Sequence, residues 1–157
     1  MNKAPHRTSG FTLVEVLIVV VIMAILAATI VPQFANSTND AKLNTAKFNL
    51  QTLRSQVEMY KSQHNGGVPT AALAELTSAT NSSGTVGTAG TSFPYGPYMV
   101  SIPLNYISNS NTVGAAPANG VAPTAAVAGA GWLYDITTGK IWFNDTGSPQ
   151  LYPFTAQ

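Results

Sequence analysis

The chain has 157 residues, of which 45% are hydrophobic and 8% are charged, and its formal net charge is +1. It contains no cysteine, which excludes disulfides, thiolate zinc sites and cysteine nucleophiles. Removal of residues 1–10 would reduce the seven basic side chains to five against six acidic ones. No basic patch would then remain, so the balance gives no support to nucleic-acid binding through phosphate contacts.

A basic leader precedes a long apolar segment at the N-terminus. The leader, residues 1–10, ends at Gly10, and residues 11–35 contain a single charged side chain, that of Glu15. About 20 apolar residues cross a bilayer core, so this segment is predicted to be a membrane-spanning helix. The positive leader is expected to stay in the cytoplasm, which places the rest of the chain outside.

Glu15 is the anomaly of the apolar segment. An acidic side chain near mid-membrane costs roughly 2.5–3.5 kcal/mol, and such residues are functional by default. Glu15 lies close to the end of the segment, where the cost is lower, but it still needs a partner. A new amine created by cutting after Gly10 would supply one. The alternative interpretation is a signal anchor in which the glutamate is accidental.

Pro32 lies inside the helical pattern and predicts a kink between Thr29 and Phe34. Proline removes a backbone donor and clashes with the preceding turn. A bent but continuous helix is the favoured interpretation. The alternative is that Pro32 ends the first helix and that the polar residues 36–40 cap a second one.

Residues 36–64 are predicted to form an amphipathic continuation of the helix. The apolar residues recur at spacings of three and four, which is typical of one buried helical face. They are Leu43, Ala46, Leu50, Leu53, Val57 and Tyr60. Phe48 and Met59 lie off this stripe and are candidates for contacts with other chains. Asn65-Gly66-Gly67, followed by Pro69, predicts that the helix ends near His64.

Residues 65–157 are predicted to form a head with a small sheet. Thr70–Leu76 is expected to be a short helix capped by Thr70, and Tyr98–Ile102 a strand. Trp132–Ile136 and Lys140–Asn144 are expected to pair as a hairpin with Trp132, Tyr134 and Ile136 on one face. Two polar stretches, Ser78–Ser92 and Asn109–Gly131, are expected to be loops. The predicted fold class is α+β, a long N-terminal helix carrying a small antiparallel sheet.

The stretch Gly-Phe-Thr-Leu-Val-Glu-Val-Leu, residues 10–17, resembles the processing and methylation site of type IV prepilins and type II secretion pseudopilins. The likeness continues through residues 25–28 to Pro32, and Ala24 departs from the glycine that many members carry. The resemblance implies cleavage after Gly10 by a prepilin peptidase and N-methylation of Phe11. It also implies that Glu15 pairs with the terminal amine of a neighbouring subunit during assembly.

The resemblance further implies a pilin-like fold and a role as the subunit of a homopolymeric helical filament. A small head without the cysteine pair of many adhesive pilins favours a type II secretion major pseudopilin. The alternatives are a type IV pilus major or minor pilin, acting in adhesion, motility or DNA uptake, and a membrane-anchored extracytoplasmic binding module. Implied partners are a prepilin peptidase, an assembly ATPase, a platform protein, minor pseudopilins and a secretin. The precursor is expected in the inner membrane and the filament in the periplasm or at the cell surface.

No enzyme is expected, because the sequence offers no Ser/His/Asp set, phosphate-cradling loop or histidine-based metal motif. Major pseudopilins often hold calcium near the C-terminus, and the resemblance makes Asp135, Asn144 and Asp145 the candidate ligands. Calcium requires six to eight oxygens, and two aspartates at this spacing match the family loop poorly. The alternative is that the aspartates cap turns. No other cofactor is expected.

Overall fold

A computed structural model describes residues 10–145 of the chain, apart from the side chains of residues 35 and 36. The predicted leader residues 1–9 and residues 146–157 of the predicted head lie outside this range. The chain divides into two compact units after Asp40. The described elements are α1 Leu13–Gln63, α2 Ala74–Thr77, β1 Ala79–Thr80, β2 Val86–Gly87, β3 Val113–Ala115, β4 Trp132–Tyr134 and β5 Ile141–Phe143.

In the first unit, α1 continues through Pro32 without interruption. The prediction of a continuous helix is therefore confirmed, the alternative of a helix that stops at Pro32 is wrong, and the kink stays a prediction. Two threonine hydroxyls in this part donate to carbonyls of their own helix. The hydroxyl of Thr29 donates to the Leu26 carbonyl at 2.9 Å, and that of Thr38 donates to the Phe34 carbonyl at 2.9 Å. Such bonds reduce the cost of a hydroxyl in apolar surroundings.

In the second unit, the predicted stripe of α1 forms one side of the core. All its members are buried except Leu43, which is half-buried. They pack with α2 and the hairpin in one cluster, whose other fully buried members are Leu73, Leu76, Trp132, Tyr134, Ile141 and Phe143. Phe48 and Met59 are 71% and 50% exposed, as expected for residues off the stripe.

The end of α1 follows the predicted glycine signal. Asn65 and Gly66 both adopt positive φ, at 53° and 84°, and the Gly66 amide donates to the Lys61 carbonyl at 2.8 Å. A left-handed turn of this kind stops a helix and satisfies its last carbonyls. The short helix α2 begins later than predicted, after Leu73. Thr70 does not cap it. Its amide and hydroxyl donate instead to the Glu75 carboxylate at 3.2 and 3.0 Å.

The predicted hairpin is confirmed as β4 and β5, which pair antiparallel with Trp132 opposite Phe143. The sheet has the order β3-β4-β5, and β3 pairs parallel with β4. The α+β class is confirmed, but this sheet is mixed because a strand inside the predicted loop Asn109–Gly131 joins it. A second, two-stranded antiparallel sheet forms from β1 and β2, within the predicted loop Ser78–Ser92.

Two local predictions in the head are wrong. Tyr98–Ile102 is not a strand, because the amides of Tyr98 and Met99 both donate to the Leu76 carbonyl, at 2.9 and 3.0 Å. Amides that share one acceptor at the end of a helix cannot follow the alternating pattern of a strand. Ile136 does not continue the face of Trp132 and Tyr134. It lies in the turn after β4 and is 54% exposed.

Candidate functional site

The predicted cleavage junction lies immediately before α1. Phe11 is 87% exposed, and a Cβ added at Gly10 would meet no atom within 4 Å. The fold of the described chain therefore places no steric demand for glycine at position 10. Any requirement for glycine there must come from a molecule that handles the junction.

Thr12 and Glu15 form a reciprocal capping arrangement at the start of α1. The Thr12 amide and hydroxyl each donate to Glu15 Oε2 at 2.8 Å. In return the Glu15 amide donates to the Thr12 hydroxyl at 3.3 Å. This is the pattern of a capping box, in which a hydroxyl residue and a glutamate three positions later satisfy each other's amides. The other carboxylate oxygen, Oε1, accepts no hydrogen bond from the described residues.

The role of Thr12 was missed in the sequence, although its signal was present. Thr12-Leu13-Val14-Glu15 has the threonine and glutamate spacing of a capping box directly before an apolar run. The capping contact gives Glu15 a hydrogen-bond partner within its own helix.

The apolar part of α1 has no cover within the described chain. Its large side chains from Phe11 to Phe34 are exposed by 45% or more, and none of its most apolar stretch is buried. Among the described residues, α1 is the one helix long and apolar enough to cross a membrane. A core helix of a soluble protein would be mostly buried, so this surface needs lipid or other helices as cover.

The profile for the prokaryotic N-terminal methylation motif matches residues 5–31. This segment is similar to the N-termini of prepilins. The motif covers the Gly10–Phe11 junction, Thr12, Glu15 and the first part of α1, which are the residues whose geometry is described above. No solved structure shows a significant match to the chain.

Several proteins similar to this chain carry names from secretion systems and fimbriae. The chain is 45% identical over 56 residues to a type II secretion system core protein G of Pseudomonas aeruginosa, covering 36% of this chain and 39% of the relative. It is 30% identical over 78 residues to the Escherichia coli core protein G, covering 49% and 54%. A fimbrial protein EcpB of Eikenella corrodens is 34% identical over 65 residues, covering 41% of each chain. The chain thus matches about two fifths to half of the length of these relatives, and its resemblance to prepilins and pseudopilins is confirmed.

The three calcium candidates do not converge. Asp135 follows β4 at the turn end of the hairpin, where its amide donates to the Lys140 carbonyl at 3.0 Å. Asn144 follows β5 at the opposite end, where its amide donates to the Gly131 carbonyl at 3.1 Å, and Asp145 comes next. Strand residues advance about 3.3 Å each, so a three-residue hairpin holds its ends about 10 Å apart. One ion with ligands at 2.3–2.6 Å cannot bind both aspartates, and the set does not fit a shared calcium site.

Asp135 instead caps the hairpin turn, as the alternative interpretation predicted. Its Oδ1 accepts from the Thr137 amide and hydroxyl at 2.8 and 2.7 Å. Its Oδ2 accepts from the Gly120 amide and the Thr138 hydroxyl, both at 2.6 Å. Burial alone would raise the pKa of Asp135, but the hydrogen bonds from Thr138, Thr137 and Gly120 outweigh burial and hold that pKa well below its usual value.

Asn144 is also fully engaged. Its side-chain nitrogen donates to the carbonyls of Val127 and Ala130, both at 2.6 Å, and its oxygen accepts from the Val127 amide at 2.9 Å. The side chain therefore ties the segment before β4 to the end of β5. Turn chemistry around an aspartate is visible in the sequence, whereas this long-range contact of Asn144 has no local signal.

Proposed function

We propose that the chain is the structural subunit of a membrane-assembled helical filament, of the type II secretion major pseudopilin kind. The observation that carries the proposal is Glu15, a carboxylate at the start of an uncovered apolar helix within a methylation motif. A lone acid in such a segment needs a positive partner. The amine released by cleavage between Gly10 and Phe11 is a partner of the right charge.

In the proposed mechanism, the apolar part of α1 first holds the precursor in the inner membrane with the head outside. A prepilin peptidase then cuts after Gly10 and methylates the Phe11 amine. During assembly the apolar helices exchange lipid for one another, and Glu15 of one subunit pairs with the amine of the next. A buried ion pair stabilises only when both partners are present, so this pair controls register more than it adds stability.

The geometry at Thr12 refines this step. Glu15 Oε2 already accepts two hydrogen bonds from Thr12, whereas Oε1 accepts none from the described residues. A carboxylate can accept about four bonds, so a neighbour's amine can bind Oε1 while the capping contact persists. Glu15 then enters the filament with its side chain already oriented.

The proposed partners are further copies of the chain, a prepilin peptidase, an assembly ATPase and a platform protein. Minor pseudopilins and a secretin complete the expected machinery. We assign no catalytic activity to the chain. The names of the three relatives described above are those of secretion and fimbrial proteins rather than enzymes. The assembled filament is expected in the periplasm or at the cell surface.

A type IV pilus subunit is the second candidate function, and the similarity to a fimbrial protein favours it. The two functions share processing and assembly and differ in what the filament does. Deletion of the gene in its native host distinguishes them. Loss of secreted proteins from the medium supports the pseudopilin, whereas loss of adhesion, surface motility or DNA uptake with normal secretion supports the pilin.

The deciding experiment is the intact mass of the protein extracted from membranes. The mature chain should begin at Phe11 and carry a methyl group on its amine. Gly10→Val is the matched variant. It leaves the described fold undisturbed because position 10 has no neighbour within 4 Å, and it should block cleavage. A wild-type chain that keeps Met1, or that begins after Ala28, contradicts the proposal.

A further inference from the structure

A cleft opens in the second unit between α1 and the tip of the hairpin. Its volume is about 420 Å³, within the usual range of binding sites. Arg54 and Glu58 line it from α1, Ala122 from the segment before β4, and Lys140 and Trp142 from the hairpin. One wall is fixed by Arg54, whose Nε and Nη2 donate to the Ile141 carbonyl at 3.2 and 2.9 Å.

The cleft presents hydrogen-bond donors more than acceptors. The carboxylate of Glu58 is already paired with Lys61 at 2.7 Å. The ammonium of Lys140 has one contact with the described residues, the Gly120 carbonyl at 3.4 Å, which is long for a hydrogen bond. No carboxylate of residues 10–145 lies within ion-pair distance of Lys140, so its charge is available to a partner.

Trp142 adds a second donor. The residue is only 6% exposed, but its indole nitrogen donates to no residue within the described range and reaches solvent, because Ser108 Oγ is the one buried side-chain nitrogen or oxygen of that range without a partner. The indole nitrogen of Trp132, by contrast, donates to the Pro103 carbonyl at 2.8 Å. The ammonium of Lys140 and the solvent-facing indole nitrogen of Trp142 are two donors in one cleft, and two such donors suit a carboxylate.

Among the acidic side chains of residues 10–145, one has no partner within that range. Three of the six acids, Glu75, Asp135 and Asp145, are buried. Glu58 pairs with Lys61, and Glu15 is held by Thr12. Asp40 is exposed and makes no hydrogen bond or ion pair with another described residue.

We propose that Asp40 of a second copy enters this cleft and pairs with Lys140 in the assembled filament. The inference rests on the proposed filament function, because only assembly holds copies at the concentration that a single ion pair requires. Charge complementarity selects Asp40, the one exposed and unpaired acid among the described residues. The partly desolvated position beside Trp142 reduces screening of the pair by salt.

Charge reversal and its rescue test the pair. Asp40→Lys and Lys140→Asp should each lower the yield of sheared filaments, relative to the processed membrane pool, by about fivefold, the upper effect of one exposed pair. The double variant should restore the yield. Lys42 provides the matched control, since it is exposed and unpaired within residues 10–145. Asp40→Lys combined with Lys42→Asp should not recover.

Cysteine cross-linking gives an independent readout, because the chain has no cysteine of its own. A paired aspartate and lysine hold their Cα atoms too far apart for a direct disulfide, so the reagent is a short bismaleimide. Filaments of Asp40→Cys/Lys140→Cys treated with it should run as a ladder of covalent multimers on a denaturing gel. The control Asp40→Cys/Val100→Cys, whose second site is 99% exposed and outside the cleft, should not.

The outcomes separate this inference from the function on which it rests. Wild-type protein that is processed but forms no filaments overturns the proposed function. Normal filaments from both single reversals, or the absence of a ladder from intact filaments, overturn the Asp40–Lys140 pair alone. A loss on Lys140→Asp that Asp40→Lys does not rescue assigns the cleft to a different partner and also overturns the inference.

Discussion

Glu15 Oε2 accepts two hydrogen bonds from Thr12, both of 2.8 Å, at the first turn of α1. The acid within the methylation motif is therefore also the residue that caps the N-terminus of its own helix. Anions near a helix N-terminus are favoured by the helix dipole, which adds to the hydrogen bonds. Thr12 and Glu15 should consequently act as one unit in assembly.

Glu15→Val should leave insertion and cleavage intact and abolish or sharply reduce filament incorporation. The substitution makes the segment more apolar and leaves Gly10 and Phe11 unchanged. Removing one partner of a buried ion pair costs roughly 3–5 kcal/mol, because the other charge stays buried. The measurement is filament yield against the processed membrane pool, with wild-type components present.

Two further variants separate charge from size at this position. Glu15→Asp should be intermediate, because it keeps the charge but shortens the reach. Glu15→Gln keeps the shape without the charge and should fail like the valine variant. Normal assembly of processed Glu15→Val would contradict the charge pair and favour a membrane-anchored binding module.

Thr12→Val should weaken assembly less than Glu15→Val does. The variant loses the hydrogen bond from the Thr12 hydroxyl to Glu15 Oε2 but keeps the hydrogen bond from the Thr12 backbone amide. The loss of a capping side chain costs about 1 kcal/mol. Thr12→Ser retains the hydroxyl and is the matched control. Filament yields that rank wild type, serine, valine in descending order would support the shared role, whereas equal yields would reject it.

Asp135→Asn should destabilise the head by about 2–3 kcal/mol, because an amide cannot accept the four hydrogen bonds of the carboxylate. Urea unfolding of residues 36–157 measures the change. Asp40→Asn is the control and should stay within about 0.5 kcal/mol of wild type, as exposed sites without contacts do. A change of similar size in both variants would mean that the turn does not depend on the carboxylate.

Asp135 also predicts how the free energy of unfolding of the head depends on acidic pH. The folded pKa of Asp135 is lowered relative to the unfolded value of about 3.9. Its stabilisation is therefore complete above about pH 4 and is lost as the pH falls further toward the folded pKa. The free energy of unfolding should fall more steeply between pH 4 and pH 2 in wild type than in Asp135→Asn. Parallel curves for the two proteins would contradict the assignment.

Tyr134→Phe tests how the free energy of unfolding of the head depends on alkaline pH. The Tyr134 hydroxyl donates to the Pro69 carbonyl at 2.9 Å, and burial, helped by the charges of Glu75 and Asp135, raises the pKa of Tyr134. The raised pKa means that ionisation favours the unfolded chain above about pH 10. The variant should lose about 1 kcal/mol at neutral pH and show a shallower loss above pH 10 than wild type. Urea unfolding of wild type and Tyr134→Phe, at neutral pH and above pH 10, provides the comparison.

Residues 36–157 should fold as a soluble monomer without the apolar segment. The stripe of α1 from Ala46 to Tyr60 is buried against α2 and the hairpin within one unit, so no second chain is needed to cover it. Circular dichroism and a cooperative thermal transition test this. An aggregated or molten product at neutral pH would mean that the stripe packs mainly on other subunits.

The parts of the fold that were predictable have local causes. The span and end of α1 follow from a 3.6-residue period and a glycine stop, and the hairpin follows from two apolar strands around a turn. Strand β3 was not predictable, because three small residues join β4 only through a parallel pairing with residues far along the chain. Tyr98–Ile102 has the composition of a strand, but the carbonyl of Leu76 takes two of its amides.

The candidate site shows the same contrast between local sequence signals and long-range contacts. The sequence points to Gly10, Phe11 and Glu15 because the motif is contiguous, and their roles stay predictions. The capping role of Thr12 could have been found from its spacing to Glu15. The cleft could not be predicted from the sequence, since Arg54, Lys140 and Trp142 come together only through packing of α1 on the hairpin. Asp135, Asn144 and Asp145 are calcium candidates because the resemblance implies a calcium loop near the C-terminus, and the hairpin places Asp135 at the opposite end from the other two.

The contact of Arg54 with the Ile141 carbonyl has a consequence for how copies of the chain can associate. Ile141 of β5 lies opposite Tyr134 of β4. In an antiparallel ladder, hydrogen-bonded and non-bonded pairs alternate, and Lys140 and Asn144 both belong to bonded pairs. Ile141 therefore belongs to a non-bonded pair, and its carbonyl points away from β4. That side of β5 is where a foreign strand would extend the sheet, and the guanidinium occupies the acceptor that it would use. In the proposed filament, copies of the chain would lie close together, and pairing of sheet edges would be an unwanted route of association. Arg54 occupies one acceptor on this edge, so a strand of another copy could not bond to that carbonyl while the contact persists.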